Sequence, residues 1–479
     1  MDNHPSTQSD IQVAVIGGGV AGATTALHLA ELGVSVALIE KKDSLVSGPP
    51  ICHLHAGGNL YREISLQQCQ ELLQQSIDTV RLYPHTLNRR PTVIVVPKTD
   101  KGQPEDLLPR LESIRSSYKE LVKKDPSNQL LGQPDDYYKL YSREDLEVLS
   151  TCEQPASPAS ADDWVIPFAK NTDLSTLKFP VVVVQEFGWS VFRLAATATL
   201  ALENIENAEL CLNSTLKELS FNGHQWLLAY EDANGLRHDL TADYVVNACG
   251  FETGRVDDLV RKPRQRLVEF KAAYVTKWDS NLSLWPEVIF HGPRGTDEGM
   301  GQLTPYADGV FQLHGMTNNI TLFNDGLAKS GDHSAQPVLP QKFLKKIATG
   351  WDVKDIESRT GNSIQHMSQW IPEFSNAKAF GKPLFGAQQI PGEDETLRSA
   401  DVSFEEEHYA RLEVVKGSSA LEAASKIAST WGFEPKIGKT IEETHPVTMA
   451  LTYQAIEDKA VELAKTRQYP EALALNYGE

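Results

Sequence analysis

Glycines at positions 17, 19 and 22 stand in the spacing G-x-G-x-x-G, and an acid, Glu40, follows 18 residues beyond Gly22. This arrangement suits the pyrophosphate and ribose of a dinucleotide. Gly17 permits a tight turn, Gly19 lets the backbone approach an anion with no Cβ in the way, and Gly22 lets a helix lie close on a strand. A helix opens at Ala21, and its unpaired N–H groups and positive dipole end attract phosphate, while Glu40 accepts hydrogen bonds from ribose hydroxyls. The motif by itself leaves NAD and FAD both open, because their ADP halves are the same.

The flanking elements must hold the turn. An apolar run at 11–16 (I-Q-V-A-V-I) predicts a buried strand, helix formers at 21–32 end before Gly33, and 34–39 (V-S-V-A-L-I) predicts a second strand closed by Glu40. An amphipathic helix is expected over 65–83, a strand at 92–96, and helices over 104–124 and 142–150. Residues 155–163 (P-A-S-P-A-S-A-D-D) have linker composition. Strands at 164–168 and 181–184 and a helix over 191–202 follow. Two Asn-Gly turns then mark a β-meander through 216–221, 225–231 and 236–240. A buried strand at 243–249 ends in Gly250, and small residues there, Ala248 and Gly250, let a ligand lie close. Further strands are expected at 267–277, 287–290, 309–314, 321–323 and 411–415, with helices at 340–349, 356–370 and 420–430. A last amphipathic helix is expected over 446–467.

The chain has 479 residues, 41% of them hydrophobic and 23% charged, and no apolar run long enough to cross a bilayer. Forty-five Lys and Arg against 64 Asp and Glu leave a net charge of −19, a field that disfavours nucleic acid and requires local cations wherever an anionic substrate binds. Five scattered cysteines without a C-x-x-C pair give no metal site and fit a reducing, cytoplasmic setting.

On I-G-G-G-V-A-G with Glu40, the meander, V-V-N-A-C-G at 245–250 and V-V-K-G-S-S-A-L at 414–421, the chain resembles the D-amino-acid-oxidase-like (DAO) superfamily of FAD-dependent oxidoreductases. Within it, H-A-G at 55–57 with Tyr61, F-K-x-x-Y at 270–274 and the stretch from Met300 to Gly315 are closest to the L-2-hydroxyglutarate oxidase-like branch. The resemblance implies an α/β fold: a Rossmann-like FAD-binding domain with a β-meander, interleaved with an α+β substrate domain on a mostly antiparallel sheet. The expected segments are 1–83, 181–265 and 371–435 for FAD, 84–180 and 266–370 for substrate, and a C-terminal helical extension over 436–479. FAD is the implied cofactor, and no second G-x-G-x-x-G for a nicotinamide follows a strand after Gly22.

By the same resemblance the cofactor contacts are Gly17, Gly19, Val20, Ala21, Gly22, Glu40, Lys41, His53, Leu54, His55, Leu216, Ala248, Gly250, Lys416, Gly417, Ser418, Ser419 and Ala420. Free N–H groups at 416–420 suit the negative charge of a reduced flavin. His55 is expected as the base, with His53 two residues away, and either histidine is a possible covalent flavin anchor. Arg62 or Lys271 is expected to clamp a substrate carboxylate, with Tyr274 as a hydroxyl donor. Tyr61, His291, Arg294 and Lys416 are further candidates. The expected activity is hydride removal from a small carboxylate-bearing substrate, a 2-hydroxy acid before a 2-amino acid, with oxygen or a quinone as acceptor. The rival readings are a flavoprotein with structural FAD acting through a partner and an NAD-linked dehydrogenase.

Overall fold

The computed structural model describes residues 10–48, 53–54, 56–57, 64–279, 282–395, 397, 402–434 and 440–478. Its first sheet runs, edge to edge, through Val402–Glu405, Tyr409–Leu412, Arg237–Asn247, Asp10–Ile16, Val36–Ile39 and Ala208–Cys211. All neighbours pair in parallel except the first two. Parallel strands covered on both faces need apolar side chains at successive positions. Val13 and Val15 accordingly enter the core beneath the helices, while Ile11, Ala14 and Ile16 enter the core beneath the meander. The helix Val20–Glu31 packs on Val191–Glu203 and Ala420–Thr430, bringing three distant parts of the chain to one face.

The meander pairs Thr215–Phe221 with Trp226–Glu231, and the latter with the first half of Arg237–Asn247. Two strands expected at 236–240 and 243–249 are therefore one, whose second half pairs with Asp10–Ile16. The second sheet is centred on Arg266–Lys277 and continues through Val310–Gly315, Gly301–Pro305, Glu287–Phe290, Thr92–Val95, Val181–Val184 and Tyr138–Tyr141. It is antiparallel except between Glu287–Phe290 and Thr92–Val95. Leu384–Pro391 also pairs with Arg266–Lys277. By strand pairing the chain returns to the first sheet after Val184 and after Pro391, later than the expected 181 and 371.

Three further expectations change. The stretch 164–168 lies in a helix, Ala161–Asn171, started by a capping box in which Ser160 and Asp163 satisfy each other's backbone N–H. The linker expected at 155–163 therefore ends inside that helix. Residues 321–323 form no strand, because Thr321 and Leu322 donate locally to the carbonyls of Gly315 and Thr317. The C-terminal helix is broken into Pro446–Met449 and Tyr453–Thr466, the second restarted by the Thr452 hydroxyl accepting from the Ala455 N–H.

No helix among the described residues is long and apolar enough to cross a membrane.

Candidate active site

The glycine turn is shaped by contact distances. Gly17 has φ +99°, and a Cβ on Gly22 would stand 1.8 Å from the Gly17 carbonyl oxygen, so both positions exclude a side chain. Gly19 faces the opposite situation: a Cβ there would meet nothing within 4 Å, which leaves space in front of the helix N-terminus for a bulky anion. Glu40 is buried at the end of its strand and accepts from the backbone N–H groups of Gly18 and Lys42. One carboxylate thus closes the turn, with lone pairs left for a ribose.

A cleft of about 400 Å³ starts at this turn and runs between the sheets. Gly17, Gly19, Val20, Ala21, Glu40, Lys41, Leu216, Ala248 and Gly250 line one end. His53, Lys271, Lys416 and Gly417 line the other. The turn near the N-terminus and the helix tip some 400 residues later therefore share one cavity. Lys41 is paired there with Glu252 and lies over the Phe251 ring, 5.4 Å from its centre.

Other expected residues sit elsewhere. Gly22 is buried under the turn, and Leu54 is buried behind the cleft with its N–H on the Phe187 carbonyl. Ser418, Ser419 and Ala420 are buried as well: the Ser418 carbonyl accepts from Thr79 Oγ1 at 2.9 Å, and Ser419 Oγ donates to Gln75 Oε1 at 2.6 Å. These serines fasten the helix tip to the helix Leu66–Leu82, leaving Lys416 and Gly417 to face the cleft. His55, Tyr61 and Arg62 lie outside the described residues.

Tyr274 is a correction. Its hydroxyl donates to the Ile320 carbonyl, accepts from Arg359 Nε at 2.6 Å, and is buried away from the cleft, with its pKa pushed up to about 12 by that burial. Side chains alternate along a strand, so positions 271 and 274 of Arg266–Lys277 face opposite sides. Lys271 keeps the cleft side, where its ammonium contacts Glu269 at 2.8 Å and Gln388 Oε1 at 3.0 Å. Arg294 shares Glu269, so one carboxylate serves two cations.

Around His53 lies a cluster that sequence reasoning missed. His53 forms a β-bridge with Gly188, and its Nδ1 is 2.9 Å from Glu287 Oε1. Arg90 Nη1 is 2.5 Å from Glu287 Oε2, and Gln302 Nε2 donates to Glu287 Oε1 at 2.7 Å. Arg90 and Glu287 are fully buried. Burial alone would raise the Glu287 pKa, but Arg90 and then His53 outweigh it and hold the carboxyl down at about 2. A carboxylate only accepts, so this contact needs a proton on His53 Nδ1, which the Gln302 amide nitrogen also approaches at 3.2 Å.

A second histidine, His314, lines the same end of the cleft. Burial, then His53, and more weakly Lys271 and Lys416, lower its pKa to about 4, which makes it a neutral and weakly basic ring. Gln302 and His314 face each other across the hairpin joining Gly301–Pro305 to Val310–Gly315. Folding that hairpin on paper about the turn at 306–309 would have found them. Glu287, opening a strand as an isolated acid, carried no comparable signal.

Residues 12–151 match the family described as DAO, FAD dependent oxidoreductase. Sixty residues, 12% of this chain, are 45% identical to a thiamine thiazole synthase of Methanosarcina acetivorans, and the match spans about a fifth (21%) of that protein. Among solved structures, glycine oxidase from Geobacillus kaustophilus is similar with a TM-score of 0.52 at 14% identity, covering 92% of this chain and 100% of that one. L-amino acid deaminase from Proteus vulgaris is similar with a TM-score of 0.56 at 13% identity, covering 93% and 99%. Glycerol-3-phosphate dehydrogenase from Bacillus halodurans, solved with FAD, is similar with a TM-score of 0.55 at 14% identity, covering 96% and 73%. At such identities these likenesses are of fold. The cofactor of this fold is FAD, and the open cradle at Gly19, the buried acid at Glu40 and the helix tip at Lys416 and Gly417 fit it.

Proposed function

We propose that this chain, a FAD-dependent oxidoreductase of the DAO type, oxidises a small carboxylate-bearing molecule at a CH–OH carbon, a 2-hydroxy acid, with His53 as the base. FAD supplies the two-electron sink for the hydride. A hydroxyl must lose its proton as the hydride leaves, whereas a neutral amine already offers a lone pair, so a base backed by a buried carboxylate matters most for an alcohol.

The observation that carries this reading is the contact between His53 Nδ1 and Glu287 Oε1, 2.9 Å apart at the end of the cleft that holds Lys416. Glu287 fixes the tautomer and stabilises the imidazolium once His53 Nε2 has taken the proton. Lys271 and Lys416 attract the substrate carboxylate, Lys271 as a point charge steadied by Glu269 and Gln388. Gly417, opening the helix tip in the cleft, would offer a backbone N–H to negative charge on a bound FAD. Roles for His55 and Arg62, beside this cluster in sequence, stay within the same proposal: His55 as a second imidazole and Arg62 as a further carboxylate clamp.

Oxidation of a 2-amino acid is the second reading, favoured by the likeness in fold to proteins named glycine oxidase and L-amino acid deaminase. Anaerobic titration of the flavin band against panels of 2-hydroxy acids, 2-amino acids and glycerol 3-phosphate separates the readings. Bleaching by a hydroxy acid supports the first. Bleaching by amino acids alone rejects it.

A further inference from the structure

The C-terminal segment reaches back to the dinucleotide end of the cleft through one side chain. Arg467 caps the helix Tyr453–Thr466, and its guanidinium donates to three successive residues of the loop after Glu40: from Nε to Ser44 Oγ at 3.2 Å, from Nη2 to the Leu45 carbonyl, and from Nη1 to the Val46 carbonyl at 3.2 Å. The same loop touches the glycine turn. The Val46 N–H donates to the Gly18 carbonyl at 2.8 Å, and the Leu45 side chain lies on Gly18. Val46, Ser47 and Gly48 then line the cleft beside Glu40.

The loop does not hold this shape for free. Val46 has φ +52°, a left-handed conformation that a β-branched residue strongly disfavours, so something outside the loop must stabilise it. A planar fork that satisfies two carbonyls and a hydroxyl at once does so, and a lysine cannot reproduce it. The segment carrying Arg467 is itself fastened to the dinucleotide helix, where Glu31 accepts from the Val447 and Thr448 N–H groups.

We propose that Arg467 is a positioning residue for cofactor retention, through which the C-terminal segment keeps the loop 44–48 against the dinucleotide. The inference rests on the reading of the cleft as the FAD site.

The test is titration of the apoprotein with FAD, followed by flavin fluorescence, alongside thermal unfolding of each apoprotein. Arg467→Met is expected to raise the FAD dissociation constant at least tenfold and to speed FAD release. Arg467→Lys, which keeps the charge but not the fork, is expected to fall between it and the unaltered chain, and it carries the test should Arg467→Met fail to fold. Glu31→Gln, which loosens the segment at its far end, is expected to lower the unfolding temperature and to weaken FAD binding less than Arg467→Met does. A folded Arg467 variant that binds FAD within twofold of the unaltered chain overturns the inference alone. An unaltered chain that takes up no FAD overturns the cofactor reading and the inference with it.

Discussion

Glu287 stands directly behind His53, with Oε1 2.9 Å from Nδ1 and both side chains buried. Gln302 donates to the same oxygen and Arg90 pairs with the other, so three side chains hold the carboxylate. Burial alone would push this acid toward its protonated form; held at about 2, it remains an anion beside the histidine.

Replacing Glu287 with Gln preserves shape but removes the charge. The rate of anaerobic flavin reduction is expected to fall by about 10²-fold, within the range of outer-shell partners of a functional histidine. KM should change little. A rate equal to that of the unaltered enzyme would remove Glu287 from the mechanism.

Lys271→Met tests the clamp. Losing a charge-assisted contact of about 1.5–3 kcal/mol should raise KM for the acid about 10- to 100-fold with a smaller effect on kcat. Steady-state kinetics read the split directly, and a fall confined to kcat would place Lys271 in another role.

The glycine turn separates folding from binding. Gly19→Val should fold normally, because nothing lies within 4 Å of its Cβ, yet weaken FAD binding about 10- to 100-fold, the effect of about 1–3 kcal/mol of overpacking against the pyrophosphate. Gly22→Ala drives a methyl into the Gly17 carbonyl and should lower the unfolding temperature even without FAD. Unfolding curves of both apoproteins, set beside FAD titrations, distinguish the two.

Acid should destabilise the fold through its buried histidines. Nδ1–H of His445 donates to the Ile441 carbonyl, so its Nε2 accepts from His28 Nδ1 at 2.9 Å. Burial first, and then His445, lowers the His28 pKa to about 3, and burial lowers that of His445. His28 titrates near 6.5 when unfolded, so its contribution is complete above about 6.5 and is lost as pH falls toward 3, and the lowered His445 acts in the same direction. The unfolding temperature is expected to drop between pH 7 and pH 5, and His28→Gln, though less stable at pH 7, should show the smaller drop.

The parts of the site that were legible in sequence are those where chemistry and local geometry coincide. Gly17 and Gly22 announce themselves because a side chain does not fit the turn there, Gly19 because it leaves room for an anion, and the strand and helix around them share the same stretch of chain. The cofactor reading of Lys416 and Gly417 rests on resemblance, and both residues line the cleft. Tyr274 was misplaced although the evidence was local, since three residues along a strand reverses the face. The helix Ala161–Asn171 was misread because W-V-I-P-F has strand-like composition, while the Ser160 to Asp163 capping box pointed the other way. Glu287 was out of reach: its partners Arg90 and His53 stand about 200 residues earlier, and only tertiary pairing brings them together. Arg467 was hidden for the same reason, as its acceptors are mostly backbone carbonyls more than 400 residues away.

The central claim is that His53, backed by Glu287, takes the substrate proton at the flavin end of the cleft. Stopped-flow anaerobic reduction of the unaltered enzyme and of His53→Asn by the same 2-hydroxy acid tests it most directly. The account predicts FAD retained by both proteins and reduction slowed about 10²- to 10⁴-fold in the variant, the range of a lost general base. Equal reduction rates with FAD bound to both would contradict it.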